Sequence, residues 1–266
     1  MWRVLISGIL PSLWLRKRTS HQSINQTMKL LNSGNAKTVK GEKWGFKTFG
    51  IHLAPSKLSG HNVCLWASKG CAMACLNTAG RGAMSNVQKA RINKTKLFFQ
   101  DKDGFMTQLI KEIASAVKSS AKAGLTPCFR LNLTSDIPWE GVRHEGKTIF
   151  EIYPHCQFYD YTKGSYRMHR FLDGKLPSNY HLTFSRSEET STDRMTRILE
   201  KGGNVAVVFR GKLPRKYLGY HVINGDEDDL RFKDGDSKKV TKGLIIGLVE
   251  KGLAKKDKTG FVVEPK

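Results

Sequence analysis

What this chain has little of is acid. Its 266 residues carry 23 Asp and Glu against 45 Lys and Arg, a formal net charge of +22 at neutral pH. Folding does not require such an imbalance. The positive field it creates attracts polyanions, nucleic acid foremost, because each cation placed on a phosphate releases condensed counterions; a generally basic, solvated surface is the plainer alternative. No run of about 18 uncharged apolar residues occurs, so a membrane-spanning helix is not expected. Cysteine is also scarce, with five residues. That is too few for a disulfide scaffold in a chain of this length, and the odd, clustered set points to reduced thiols in a cytoplasm. Neither GxxxxGKS/T nor a post-strand GxGxxG is present, which removes the P-loop ATPase and Rossmann dinucleotide readings, and the eight histidines form no HExxH.

The hydrophobic share of 39% is enough for a sizeable core. Trp2 to Leu15 is apolar but broken by Arg3, Gly8 and Pro11, and Arg16, Lys17 and Arg18 follow it. This order of charge and apolar stretch is not that of a signal peptide. Residues 1–27 are expected to be an extension ahead of one α/β domain spanning 28–266, with a weak interfacial anchor as the other option. Strands are expected at Phe46–Leu53, Cys128–Leu133, Gln157–Tyr161, Tyr180–Phe184, Val205–Phe209 and Leu244–Val249, where β-branched and aromatic residues concentrate. Helices are expected at Asn86–Phe99, Gly104–Ala123 and Thr192–Lys201. In the second, Phe105, Leu109, Ile113 and Val117 recur every four residues and Gly124 stops the run. Alternation of strand and helix implies crossovers, hence a mainly parallel sheet, a barrel or TIM-like partial barrel.

Four of these strands end in polar residues. FRLNLTSD supplies Asn132, Ser135 and Asp136, FYDYTK supplies Thr162 and Lys163, HLTFSRSE supplies Arg186 and Glu188, and VAVVFRGK supplies Arg210. Parallel α/β folds bind ligands at the carboxyl ends of their strands, so one shared site is expected there. Asp136, Arg186 and Arg210 are its candidate catalytic residues; Asn132, Ser135 and Thr162 are candidate cofactor contacts, although Ser and Thr also cap helices. The arginine forks suit phosphate or carboxylate.

The strongest local motif is HNVCLWASKGCAMACLNTAGRG, with spacing Cys64-x6-Cys71-x3-Cys75. Cys71 and Cys75 share a face on a short helix, and Cys64 can reach back across the Ser-Lys-Gly turn. Three converging thiolates suit a soft metal. A four-iron, four-sulfur (4Fe-4S) cluster on three cysteines keeps one iron open; zinc would need a fourth ligand, for which His52 or His61 is available. Burial of the thiols as small hydrophobes is the third option. Gly80, Arg81 and Gly82 follow, a turn in which backbone N–H groups can approach an anion.

Asp226, Glu227, Asp228 and Asp229 form an acidic knot, expected to be a solvated turn and otherwise a Mg2+ site. Lys238, Lys239, Lys242, Lys251, Lys255, Lys256 and Lys258, with Lys89, Arg91, Lys94 and Lys96, could track a phosphate backbone, with Trp44, Phe46, Tyr159 and Tyr161 as stacking platforms.

Taken together, NSGNAKTVKGE after Met28, the HLAPSKLSGHNVC and ASKGCAMACLNTAGRG blocks, FRLNLTSD, FYDYTK, LTFSRSE and VAVVFRGKLP resemble the phage "gene product eighty-eight" type, an uncharacterised bacteriophage family. The resemblance runs from Met28 to Val263. It implies a phage or prophage origin, and a host cytoplasm as the setting. The cysteine block is also distantly similar to radical S-adenosylmethionine barrels, which implies a 4Fe-4S cluster with that cofactor; those enzymes mostly space their cysteines Cys-x3-Cys-x2-Cys, and this chain departs from that. Three readings follow: an iron-sulfur enzyme acting on or near nucleic acid, a zinc-clipped nucleic-acid-binding protein without catalysis, and a Mg2+-dependent nuclease.

Overall fold

The structure, a computed structural model, describes residues 28–235 and 242–265. The expected extension at 1–27, with Lys238 and Lys239 of the basic stretch, lies outside them. In chain order the elements are β1 (Leu31–Asn32), β2 (Phe46–Ile51), α1 (Lys69–Met73), α2 (Ser85–Gln100), α3 (Lys102–Lys122) and β3 (Thr126–Arg130). A small hairpin of β4 (Arg143–His144) and β5 (Lys147–Thr148) leads into α4 (Ile149–Ile152). Then come β6 (Gln157–Thr162), α5 (Ser165–Leu172), β7 (Tyr180–Ser185), α6 (Thr192–Glu200) and β8 (Val205–Phe209). The chain continues through β9 (Lys216–Tyr217), β10 (Tyr220–Asn224), β11 (Ile245–Val249) and β12 (Val262–Val263). All six strands and all three helices expected from the sequence are present.

The main sheet runs β1-β2-β3-β6-β7-β8-β11-β10-β9. From β2 to β10 every neighbouring pair is parallel, and only β1 and β9 at the two ends run antiparallel. Among the described residues the two ends do not pair, so the strands do not close into a barrel. The fold is a mixed α/β sheet with mostly parallel strands.

Five successive parallel neighbours appear in sequence order, β2, β3, β6, β7 and β8. Right-handed crossovers that always advance in one direction place their helices on one face, and the packing agrees. Phe98 of α2, Leu109 and Ile113 of α3, Met168 of α5 and Ile198 of α6 share one core with Phe49, Phe129, Phe158, Leu182 and Val207 from alternate strand positions. In α3, Asp101 accepts the Gly104 N–H at 2.9 Å and so caps the helix, while Phe105, Leu109 and Ile113 are fully buried. Each such side chain contributes about 1.5–3 kcal/mol by leaving water. The other strand positions form a second, inner face, which carries Cys128, Tyr159, Tyr161, Ala206 and Ile246.

One departure in the sheet shapes the site. β7 pairs with β8 only at Phe184 and Ser185, and β12 takes the place beside Val208 and Phe209 that β7 leaves. The C-terminal segment is thereby inserted at the carboxyl end of the sheet.

Candidate functional site

Cys64, Cys71 and Cys75 line one cavity of about 310 Å³ in the connection that leaves the carboxyl end of β2. Each is half-buried and none is in a disulfide. Helix α1 sets the middle cysteine: the Ser68 side chain accepts the Cys71 N–H at 3.1 Å. Glu188, beyond β7, clamps the same turn, accepting the Ser68 hydroxyl at 2.7 Å and the Gly70 N–H at 2.6 Å. A Cβ on Gly70 would lie 2.3 Å from Thr259 Oγ1 and 2.7 Å from Glu188 Oε2, so only glycine fits between the clamp and the C-terminal segment. Cys64 is fixed from the other side, where its sulfur accepts the Ser56 N–H at 3.3 Å and donates to Thr134 O at 3.8 Å.

Burial pushes all three thiols upward, Cys64 to about 12. Two cations oppose it. Lys163, at the end of β6, draws the Cys71 thiol back down; its Nζ donates to Ser185 Oγ at 2.7 Å and lies 5.2 Å from the centre of the Phe261 ring. Arg91 of α2 is 7% exposed and donates to Asn77 O at 2.8 Å and to the Asn77 side-chain oxygen. Burial lowers its guanidinium, and the one neighbour that offsets this is Cys75. Among the described residues no carboxylate pairs with Arg91. Gly82 packs on this pair, since a Cβ there would sit 2.4 Å from Asn77 O. The Gly80–Ala83 segment is a 3-10 turn with Arg81 exposed.

The residues after β3 and β6 do meet. Asn132 receives its position from Asp160, whose Oδ1 accepts the Asn132 N–H at 2.8 Å, and Ser135 donates to Asn132 Oδ1 at 2.8 Å. Asp136 Oδ2 accepts the Lys163 N–H at 2.8 Å and the Thr162 hydroxyl at 3.3 Å. Beneath them lies Arg167 of α5, which pairs with Asp136 Oδ1 at 2.6 Å and with Glu140 Oε1 at 2.7 Å. Burial raises the Asp136 carboxyl against the pull of Arg167. Four of the residues expected at the site are thus one buried network that holds the strand ends under the cysteine loop; the Asp136 N–H reaches Val63 O at 2.8 Å.

Arg186 and Arg210 serve a different contact. Arg186 donates to Gly260 O at 2.7 Å and Phe261 O at 3.0 Å, and Arg210 to Lys255 O at 3.0 Å and Asp257 O at 2.8 Å, so the two arginines tie down the segment around β12. Helix α2 turns two of its expected phosphate-tracking cations inward: Arg91, and Lys94, which is 5% exposed and donates to Leu30 O at 2.9 Å. Lys89 and Lys96 remain exposed. The acidic knot is not a solvated turn throughout, because Asp229 is fully buried between Arg130 at 2.9 Å and Lys37 at 3.1 Å, while Asp226 pairs with Lys251 at 2.6 Å. Of the aromatic platforms, Trp44 is exposed, Phe46 and Tyr161 are half-buried and Tyr159 is buried. His61 stacks on Phe99 at 4.3 Å, and burial with Arg91 nearby pushes His52 down to about 3.

Among the described residues no three His, Cys, Asp or Glu side chains are grouped to hold a single metal ion, and no helix is long and apolar enough to cross a membrane. Sequence reasoning did not mark Arg167 at all, and read Arg91 as a surface cation. The run FYDYTK did hold Lys163, as one strand end among several. No curated protein and no solved structure matches the chain. The model of one family, described as Gene product 88, matches residues 27–265, nearly the whole described fold, and the chain belongs to that family.

Proposed function

We propose that the chain is an iron-sulfur enzyme of partial-barrel form, in which Cys64, Cys71 and Cys75 hold a 4Fe-4S cluster beside a phosphate-bearing substrate, nucleic acid being the class its charge favours. The observation that carries this is the placement of three thiols on the wall of one cavity, faced by Lys163 and by the carboxylate-free Arg91. A buried cation without an anion is costly, and thiolates would supply the missing negative charge. Zinc fits less well. It would need a fourth ligand, and His61, one of the two histidines available for it, is stacked on Phe99. A cluster on three cysteines supplies one iron free to bind a small cofactor of the S-adenosylmethionine kind or substrate.

The chain's own residues have distinct tasks here. Glu188 and Ser68 fix the α1 turn, and the Asp136–Arg167 network fixes the floor. Lys163 presents a cation to whatever anion enters beside Cys71. The strand order, which rises without reversal from β2 to β11, with the cysteine loop leaving the first parallel strand, supports a partial barrel.

Anaerobic reconstitution with iron and sulfide tests the reading. A broad band near 400 nm with about four irons per chain is expected, lost in each single Cys→Ala variant; one zinc per chain without colour overturns it. For the substrate, nucleic-acid affinity should fall steeply with salt, and a flat plot of log K against log salt overturns phosphate binding.

A further inference from the structure

The inner face of the sheet, away from the cysteine cavity, contains a concentration of unpaired polar atoms. Among the described residues nine buried side-chain polar atoms have no hydrogen-bond partner. Six belong to five residues of this face: Arg231 Nε and Nη1, Arg130 Nε, Thr183 Oγ1, His181 Nε2 and Asp234 Oδ2. An unsatisfied buried donor costs about 1–3 kcal/mol, so such a set in one place signals a ligand or its waters.

Tyr161 is the centre of the arrangement. Arg130 lies 4.5 Å from the centre of its ring, Lys37 Nζ is 3.5 Å from its hydroxyl, and Thr183 is its register partner on β7. The turn Arg231–Lys233 packs against β6 and β7 and sets the Arg231 side chain, 1% exposed, over this face. Arg231 Nη1 comes within 3.1 Å of where a Cβ on Gly225 would be. Arg231 Nε stands 3.3 Å from Asp234 Oδ2, yet neither atom makes an aligned hydrogen bond. The unused groups are mostly donors: three guanidinium N–H groups and a hydroxyl. Asp229 is already occupied by Arg130 and Lys37, and burial raises Asp234 to about 7, which removes part of its charge near neutrality.

We propose that Arg231, Arg130 and Thr183 form an oxyanion-binding site on the inner face, suited to a phosphate group. The free N–H groups, Nε and Nη1 of Arg231 and Nε of Arg130, are charged donors of the kind an oxyanion accepts, while Nη2 of Arg231 is held by Asp228 at 3.1 Å. Lys163, which faces Cys71, stands two residues beyond Tyr161 on the same strand, about 7 Å along it. The site therefore lies one step further from the carboxyl end of β6 than the cation that faces the cysteines. The assignment rests on the inner-face geometry and not on the metal reading, and its readout involves no iron.

The test is thermal unfolding of the full chain titrated with inorganic phosphate, with chloride at matched ionic strength as the reference. Phosphate should stabilise the protein in a saturable way that chloride does not. Thr183→Val removes an unpaired hydroxyl, so it should fold normally and weaken phosphate about fivefold, the value of one neutral hydrogen bond. Arg231→Lys keeps the charge, loses the Nε and Nη1 donors and should weaken it at least tenfold. A response to acetate in place of phosphate supports the site and assigns a carboxylate. No saturable response to either anion, or wild-type phosphate affinity in both variants, overturns the proposal.

Discussion

Replacing Arg167 by Met should be among the most damaging single changes in this fold. The guanidinium is 2% exposed and bonds Asp136 at 2.6 Å, Glu140 at 2.7 and 2.8 Å, and the Tyr180 hydroxyl at 2.9 Å. Its two carboxylate partners are themselves buried, with side chains 11% and 6% exposed. Methionine fills the volume and leaves both acids without a cation. Breaking a buried pair in this way costs about 3–5 kcal/mol, which for a domain of this size lowers Tm by roughly 6–20 °C. The exposed pair Arg197–Asp193, whose side chains are 70% and 67% exposed, is the contrast: Arg197→Gln should cost less than about 1 kcal/mol. The pH dependence gives a second check. Burial already holds Asp136 above its ordinary range, and losing Arg167 raises it further. A carboxyl whose folded pKa exceeds its unfolded one binds protons preferentially in the fold, so its penalty disappears as pH falls. The gap between variant and wild type should therefore narrow from pH 7 toward pH 5, and Asp136→Asn in the Arg167→Met background should recover stability. Thermal melts across that range decide; a loss below about 1 kcal/mol, or a gap independent of pH, would refute the reasoning.

Two further outcomes are expected. Gly70→Ala places a Cβ 2.3 Å from Thr259 Oγ1 and should cost about 1–3 kcal/mol as overpacking while speeding alkylation of Cys71; an unchanged denaturation midpoint counts against the clamp. Burial holds His52 neutral, with a pKa of about 3, so the unfolded chain takes up a proton below about 6.5 that the fold refuses. Stability should fall as pH drops through that range, by up to ~1.4 kcal/mol per pH unit. His52→Leu should reduce the acid-side slope, and an unaltered slope between pH 6.5 and 4.5 would count against it.

The strands and long helices were legible because their side chains repeat with the period of the backbone. Phe105, Leu109 and Ile113 mark α3 by spacing alone. Helix α5 escaped although Met168, Phe171 and Leu172 stand at i, i+3 and i+4, because it is only eight residues long and buries a charged residue, Arg167, beside that stripe. The same cause hid Arg91 and Lys94. Charge normally marks solvent, and here the partners that overrule it, Asn77 O and Leu30 O, come from other parts of the chain. The cysteine spacing predicted convergence on one region, and the polar strand ends predicted a shared location. Neither could separate Asp136, which braces Arg167, from Lys163, which faces a thiol. Arg186 and Arg210 read as ligand forks because the carbonyls they bind lie some 45 to 75 residues further along the chain.

The position of that C-terminal segment follows from the sheet. Had β7 paired with β8 along its whole length, the carboxyl ends of both strands would have been sealed. Its early divergence after Ser185 opens an edge beside Val208, and β12 fills it. Phe261 and Val262 then form a small apolar cluster with Ala74 and Ala254, against which Cys71 and Val208 pack. Gly252 comes close enough to Ala79 that a Cβ would lie 3.1 Å from its side chain. The last described strand thus buttresses the loop that leaves the first parallel one, and Leu253 contributes directly to the cavity wall. A cysteine loop with only five helical residues in α1 has little stability of its own; the shape of its cavity depends on the segment around β12 being seated. Coupling the thiols to β12 through Gly70, Thr259 and Phe261 makes the site a property of the whole sheet rather than of the cysteine motif.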